Sequence, residues 1–287
     1  MLKLLCWLLV AMAPLWGDIV KRKVVFSTEP IDVVIPCAPK DRRSLELCIK
    51  GIRENGKNLR RIIVVSKERL TDSAEWFSED AFPFTKEDLA LEIFRGDGPA
   101  ASEFIHRPET RIGWIFQQFL KFYSPFVIPD ISPNVLILDA DVIFLNKVQF
   151  MTNEGNPCFA PSDEPMHAPY FSHAARLVKG LHRVHPRHSG IAHHMLFQKP
   201  LLEDLFALIA QEHGTEPWRA ICRATDLNDV GFGGFSEYEI YFNFALLRTD
   251  QANIRPLRWI YIHSLRIIPG FKQAGYSYVC FPTWLTP

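Results

Sequence analysis

The chain has 287 residues, of which 32 are Lys or Arg and 32 are Asp or Glu, so its formal net charge is zero. This balance argues against a nucleic-acid-binding protein, because such proteins carry a basic excess that displaces counterions. Hydrophobic residues make up 48% and charged residues 22%, a composition typical of a folded globular protein rather than a disordered chain.

The N-terminus carries an apolar leader. Lys3 is followed by an almost unbroken apolar run that ends at Trp16. The run is shorter than the roughly 20 residues of a membrane-spanning helix and matches the apolar part of a signal peptide. We therefore predict a signal peptide or membrane anchor over residues 1–17 and a single domain over residues 18–287. The protein is then exported or membrane-associated, and a domain on the cytoplasmic face of a membrane remains an alternative.

The cysteines outside the leader do not form a metal-binding or redox motif. They show no C-x-x-C pair and no zinc-type spacing, and at most two disulfides are expected among them. These five residues are Cys37, Cys48, Cys158, Cys222 and Cys280.

The first elements after the leader alternate between strand and helix. Residues Ile31 to Pro36 form a β-branched strand, residues Leu45 to Ile52 show one apolar helix face, and residues 62–66 form a second buried strand. This order predicts a βαβ unit and therefore an α/β fold with a mainly parallel sheet flanked by helices. The ligand site of such a sheet lies at the carboxyl ends of its strands.

The central part of the chain contains the clearest helix. Residues 68–110 read as loops or short helices, and Ile112 to Tyr123 then repeat with helical periodicity. Pro125 and Pro129 are expected to end that helix. A fully buried strand follows from Val135.

The last third of the chain contains three further elements. A helix is predicted from Pro200 to Gly214, and a second helix from Ser236 after a glycine-rich turn. A strand from Trp259 ends at His263. Residues 153–194 show little periodicity.

Two aspartates directly follow the buried central strand. Asp139 and Asp141 are separated by one residue, so in an extended chain both side chains point to the same face. Adjacent carboxylates repel each other and are costly to desolvate unless a cation neutralises them. Oxygen ligands favour a hard ion, which predicts a Mn²⁺ or Mg²⁺ site. Alternatively, Asp139 caps the turn and Asp141 pairs with a lysine such as Lys147.

Three sequence blocks resemble a known group of enzymes. The blocks are GWIFQQFLKFYSPF, NVLILDADVIFL and GGFSEYEIYFNF. In this order they resemble GT-A-fold nucleotide-sugar glycosyltransferases with a D-x-D motif, and are similar to a poorly characterised bacterial group of them. The resemblance runs from about Ile31 to His263. It implies a GT-A-like, Rossmann-like domain that transfers a hexosyl-type sugar from a nucleotide-diphosphate donor, most simply a UDP-sugar, to a glycan or lipid-linked acceptor.

The same resemblance assigns roles to individual residues. Pro36 and the residues after it would border the nucleotide base, Asp139 would lie near the ribose and the metal, and Asp141 would bind the metal directly. A late histidine supplies a third metal ligand in several GT-A families, and His263 is the best match. A histidine beside an apolar strand is also commonly a buried core residue, so both interpretations of His263 stay open.

Two glutamates begin the helix after the glycine-rich turn. Ser236 and Glu239 match a capping box, in which the glutamate accepts a hydrogen bond from the serine backbone. Glu237 has no role in this capping box and is the candidate general base for the acceptor hydroxyl in an inverting enzyme. In a retaining enzyme the same carboxylate would instead hold the sugar or the acceptor. Both Glu237 and Glu239 are therefore candidate catalytic residues.

Several histidines precede this region. His182, His185 and His188 are spaced by three, but Pro186 disfavours a regular helix there, so a solvated loop is a better interpretation than a zinc site. His194 is a weaker candidate for the pocket.

Two other functions remain as alternatives to a metal-dependent glycosyltransferase. One is an exported carbohydrate-binding or interaction protein without catalysis, which the leader favours. The other is a sugar nucleotidyltransferase, although Cys37-Ala38-Pro39-Lys40 does not resemble the glycine-rich loop of that class.

Overall fold

The central sheet of the protein has five strands and is flanked by helices. The computed structural model describes residues 19–163 and 167–282. The fold class predicted from the sequence is confirmed: the protein is α/β with a mixed, mainly parallel sheet. The predicted leader lies outside the described residues. Within them, no helix combines the length and the apolar character that crossing a membrane requires.

The strands of the described residues form three sheets. The main sheet has the order β3-β2-β1-β4-β7, in which only the β4–β7 pair is antiparallel. A smaller sheet has the order β5-β10-β9, and β6 pairs with β8. The strand bounds are β1 Ile31–Pro36, β2 Leu59–Ser66, β3 Glu75–Ser78, β4 Asn134–Leu138, β5 Val142–Phe144, β6 Cys158–Phe159, β7 His194–Gln198, β8 Asn253–Ile254, β9 Trp259–Tyr261 and β10 Tyr278–Cys280.

Nine α-helices connect or follow these strands in the described part of the chain. Their bounds are α1 Arg42–Asn55, α2 Lys86–Ile93, α3 Gly98–His106, α4 Ile112–Val127, α5 Ala168–Leu177, α6 Lys199–His213, α7 Pro217–Ala224, α8 Glu237–Arg248 and α9 Ile268–Gln273.

Both faces of the main sheet are covered, because successive side chains of each strand point to opposite faces. Val34 of β1 packs into the cluster that contains the apolar residues of α4, α6 and α8. Val33 and Ile35 pack on the other face, against α1 and the small sheet. The carboxyl edge of the sheet therefore lies between a helical layer that contains α4 and α8 and a second layer formed by α1 and the small sheet.

One expectation about local structure was wrong. Pro125 lies inside α4 and does not end it, because the helix continues to Val127 and Ile128 N again donates to Ser124 O at 3.2 Å. The aperiodic region 153–194 contains α5. The five cysteines outside the leader all lie within the described residues and are free thiols there, within the expected limit of two disulfides.

Candidate functional site

The carboxyl edge of the main sheet brings two of the predicted residues to one place. Pro36 is the last residue of β1, and Asp139 follows the last residue of the neighbouring strand β4. Gln117 of α4 reaches the same edge, where its Nε2 donates to Pro36 O at 3.4 Å. The position agrees with the rule that ligands of parallel sheets bind at the carboxyl ends of the strands.

The two aspartates lie in a turn that joins two sheets. Val142 N donates to Asp139 O at 3.2 Å, so the backbone turns between β4 and β5. The extended geometry assumed for the D-x-D triplet is therefore wrong. Phe281 N, next to β10, donates to Asp141 O at 2.8 Å and fixes the second aspartate from the small sheet.

A buried lysine joins Asp139 to Glu237. Lys121 Nζ lies 2.7 Å from Asp139 Oδ1 and 2.8 Å from Glu237 Oε1. It also lies over the ring of Tyr238, 4.3 Å from the centroid. The Lys121 and Glu237 side chains are 5% and 3% exposed, whereas that of Asp139 is 22% exposed. Asp139 is thus the member of this charged cluster that faces solvent.

This cluster shifts the pKa values of its members in opposite directions. Burial alone would lower the pKa of Lys121, but Asp139 and Glu237 raise it well above its usual range. Burial raises the pKa of Glu237, and Lys121 opposes that shift. Although burial also favours the neutral form of Asp139, Lys121 and then His193 lower the pKa of this carboxyl. Lys121 therefore keeps Asp139 ionised.

His193 is the second residue that holds Asp139. Its Nδ1 lies 3.7 Å from Asp139 Oδ2, its backbone O accepts from Asp139 N at 2.9 Å, and its Nε2 pairs with the Tyr261 hydroxyl at 3.0 Å. His193 has φ +58°, a left-handed conformation that is uncommon for a non-glycine residue. Such strain persists where the surroundings fix it, and it is frequent at functional sites.

Asp141 differs from Asp139 in lacking partners. Its Oδ1 is buried and has no hydrogen-bond partner among the described residues. Burial and the charge of Asp139 raise its pKa. The alternative pairing with Lys147 does not form, because Lys147 Nζ donates to Glu54 O. An unpaired buried carboxylate oxygen beside a second carboxylate is the arrangement that a divalent cation stabilises, so these residues fit a Mn²⁺ or Mg²⁺ site.

The two glutamates of α8 have different surroundings. Glu237 is the first residue of the helix, and its backbone N donates to Gln118 Oε1 at 3.0 Å. Glu239 N donates to the Ser236 hydroxyl, so the serine caps the helix as predicted. The Glu239 carboxylate accepts from Ser189 and from Asn243, and the reciprocal bond to the Ser236 backbone is not formed.

The remaining histidine candidates lie apart from the aspartates or inside the core. His263 is exposed, so its interpretation as a buried core residue is wrong. No group of three His, Cys, Asp or Glu side chains within residues 19–163 and 167–282 is arranged to hold a metal ion, which gives no support to a zinc site at His182, His185 and His188. His194 is buried against Phe144. The metal-ligand role of His263 stays a prediction.

Lys121 and His193 were not identified from the sequence. Lys121 lies in a run of α4 that is buried on all sides, from Gln118 to Pro125. A lysine in a helix that is apolar all round has no solvent-facing side and needs a counterion, which was an available signal. His193 precedes β7, and only the antiparallel pairing of β7 with β4 places it beside Asp139.

Comparisons with known proteins give a family but no activity. The structure is similar to the crystal structure of mouse xyloside xylosyltransferase 1, apo form, with a TM-score of 0.41 and 11% identity, over 90% of this chain and 98% of that one. No curated protein matches the chain. The profile of a family described as "Family of unknown function (DUF6492)" matches residues 54–255, which include Lys121, Asp139, Asp141 and Glu237 but not Pro36 or His263. The chain belongs to this family of unknown function, DUF6492.

Proposed function

We propose that the protein is a metal-dependent glycosyltransferase that moves a sugar from a nucleotide-diphosphate donor to a glycan or lipid-linked acceptor. The observation that carries the proposal is the buried, unpartnered Oδ1 of Asp141 beside the ionised carboxylate of Asp139, at the carboxyl edge of a mainly parallel sheet. A UDP-sugar is the donor we propose to test first.

The two carboxylate ligands favour a metal ion that also binds phosphate. Mg²⁺ and Mn²⁺ sites commonly use one or two carboxylates and take their other ligands from water and substrate phosphates. Asp141 and Asp139 would be the carboxylate ligands of the ion, and Lys121 and His193 would fix the orientation of the Asp139 carboxylate. A bound divalent ion neutralises the charge that develops on a diphosphate leaving group. Pro36 lies on the same edge, where we propose that the nucleotide base binds.

Glu237 remains the proposed general base. Burial raises its pKa, which makes the carboxylate a stronger base than an exposed glutamate. Its Oε1 contacts Lys121 Nζ at 2.8 Å and, apart from this ion pair, accepts no hydrogen bond from the described residues. In a retaining reaction the same carboxylate would orient the acceptor.

The test compares ligand-induced thermal stabilisation of parent and variant proteins. We expect UDP with Mn²⁺ to raise the melting temperature of the parent, since a ligand that binds only the folded state stabilises it. In Asp141→Asn, which keeps the size of the side chain and removes its charge, we expect this shift to be lost while the ligand-free melting temperature is unchanged or higher. The matched control is Asp72→Asn, because Asp72 is an exposed aspartate on the β2–β3 connection.

Two results of this measurement would count against a joint cation–nucleotide site at Asp141. Equal shifts for the parent and Asp141→Asn would contradict the proposed site. Stabilisation by UDP without any divalent ion would argue for a metal-independent donor site. Release of UDP from a UDP-sugar, measured with and without Mn²⁺, then tests the reaction itself.

A further inference from the structure

The face of α4 that carries Lys121 also carries side chains that lie beyond the charged cluster of Lys121, Asp139 and Glu237. Trp114, Gln118 and Lys121 are spaced by four and three residues, so their side chains lie along one side of the helix. Lys121 contacts Glu237 through its ammonium group, and Gln118 contacts the backbone of the same residue. Trp114 therefore lies on the Glu237 side of the site, about 10 Å along the helix axis from Lys121.

Gln118 carries an unused hydrogen-bond donor into this region. The residue is 1% exposed, and its Nε2 has no partner in the part of the chain that the structure describes. The orientation of the amide is fixed, because only its oxygen accepts from Glu237 N. A buried donor without an acceptor is costly, so a ligand or water is expected to bind it.

Aromatic rings begin one helical turn away from Gln118, at Trp114. Trp114 and Tyr170 of α5 are nearly parallel, with centroids 6.3 Å apart and an interplanar angle of 17°. Tyr170 is close enough to Glu237 for that carboxylate to contribute to the raised pKa of the phenol, after the larger effect of burial. His167 packs on Tyr170 with ring centroids 4.3 Å apart, and its buried Nε2 has no partner among the described residues.

A glycine-rich turn adds an exposed ring. Phe232 is 71% exposed and is followed by Gly233, which has φ +103°. A Cβ atom at Gly233 would lie 2.3 Å from Trp114 Cζ3, so only glycine lets the turn rest on the Trp114 ring. The turn leads directly to Ser236 and Glu237. Phe232 is therefore an exposed apolar side chain next to the turn that rests on Trp114.

We infer that Trp114, Tyr170 and Phe232 form the binding surface for a pyranose ring of the acceptor, with Gln118 and His167 hydrogen-bonding its hydroxyl groups. A pyranose has apolar C–H faces and a rim of hydroxyls, so it requires aromatic surface next to unpaired polar atoms. Gln118 and Tyr170 lie near Glu237, the proposed general base, and this proximity favours the acceptor over the donor sugar. This assignment of the ligand rests on the proposed transfer reaction.

The experiment detects sugar binding at Trp114 without requiring turnover. Protein labelled with ¹⁵N-tryptophan is titrated, without metal or nucleotide, with methyl glycosides of glucose, galactose, mannose and xylose. The indole signal of Trp114 is identified as the one missing from Trp114→Phe. We expect at least one glycoside to shift this signal saturably, at least a tenfold loss of affinity in Trp114→Leu, and a smaller loss in Trp114→Phe and Phe232→Ala. For Trp114→Leu and Trp114→Phe, which lack this indole, binding is followed by saturation-transfer NMR on the glycoside, and for Phe232→Ala it is followed by the Trp114 signal.

Trp76 supplies the matched control, because it is an exposed tryptophan on β3, at the sheet edge opposite β7. Trp76→Phe should bind the glycosides like the parent. A shift at Trp76 instead of Trp114, an equal shift with glycerol, unchanged binding in Trp114→Leu, or no shift with any glycoside would overturn the inference. Glycoside binding without a response to UDP and Mn²⁺ would keep this surface and reject the proposed transfer. A response to UDP and Mn²⁺ without any glycoside binding would reject the sugar-binding surface and leave the proposed transfer standing.

Discussion

At the level of single residues, the ammonium group of Lys121 forms ion pairs with two carboxylates, the buried one of Glu237 and the partly exposed one of Asp139. In Lys121→Met, Asp139 and Glu237 would lose their shared cation, and removing one partner of a buried ion pair typically costs about 3–5 kcal/mol. We expect a decrease of that order in the free energy of unfolding, measured with urea. Lys147→Met, at an exposed lysine, should change stability by less than about 0.5 kcal/mol.

The double variant Lys121→Met/Glu237→Gln tests the cause of that loss. Removing the Glu237 charge leaves one unpaired carboxylate instead of two, so part of the stability should return. A Lys121→Met protein as stable as the parent would show that the ion pairs do not stabilise the fold.

Substitution by glutamine is expected to affect the two glutamates of α8 differently. Glu237→Gln keeps an oxygen for Lys121 but removes the basic carboxylate, so transfer should fall by about 10²–10⁴, the usual contribution of a general base. Glu239→Gln still offers an oxygen to Asn243 and should retain both stability and activity. The measurement is the transfer rate and the donor affinity of both variants. A slow Glu239→Gln with a fast Glu237→Gln would invert the two roles, and two active variants would place the base elsewhere.

At the level of elements, the segment of residues 19–26 is hydrogen-bonded to the end of α8 and to the residues that follow it. Arg22 N donates to Arg248 O at 2.8 Å, Val24 exchanges hydrogen bonds with the Gln251 side chain, and Val24 and Phe26 are buried. This segment is therefore part of the folded domain.

Truncation at two positions tests this connection. A protein that starts at Asp18 should be soluble and unfold cooperatively. A protein that starts at Ser27 loses the burial of Val24 and Phe26, worth about 1.5–3 kcal/mol for each fully buried side chain, and should unfold at a lower urea concentration. Equal stability of the two would contradict the role of the segment, and an insoluble protein from Asp18 would show that the leader belongs to the core.

Periodic elements were predictable from the sequence, whereas elements set by tertiary contacts were not. The bounds of β1 and the glycine end of α6 follow from local residue preferences, and both were predicted. Pro125 was misjudged because the packing of α4 between the sheet and α8 outweighs one missing backbone hydrogen bond. The same limit applies to the site. Asp139, Asp141 and Glu237 could be proposed from local motifs, but His193 meets Asp139 only through strand pairing.

At the level of the whole molecule, buried neutral histidines link stability to pH. Burial lowers the pKa of His173 to about 4, and His173 Nε2 lies 2.9 Å from Ile221 O. An unfolded histidine titrates near 6.5, so between roughly pH 6.5 and 4 the unfolded state binds the extra proton. This contribution to stability is complete above that window and is lost as the pH falls through it.

The His173→Gln variant isolates that effect. Glutamine still offers a donor to Ile221 O but does not titrate, so the stability difference between pH 7 and pH 5 should be smaller than in the parent. His182→Gln, at an exposed histidine, is the control and should retain the parent's difference. Urea unfolding at both pH values provides the measurement, and an unchanged difference in His173→Gln would contradict the assignment.

The hydrogen bond from Phe281 N to Asp141 O has a consequence for the synthesis of the protein. The second aspartate of the candidate site is fixed by a residue that follows β10, and β10 also pairs with β5, which begins directly after that aspartate. A nascent chain on the ribosome can assemble the main sheet before residues 278–281 have emerged, but it cannot yet hold Asp141 in place. The candidate site would therefore be completed only after residues 278–281 have been synthesised and have paired with β5, and chains that stop before them would hold the main sheet but not a fixed Asp141.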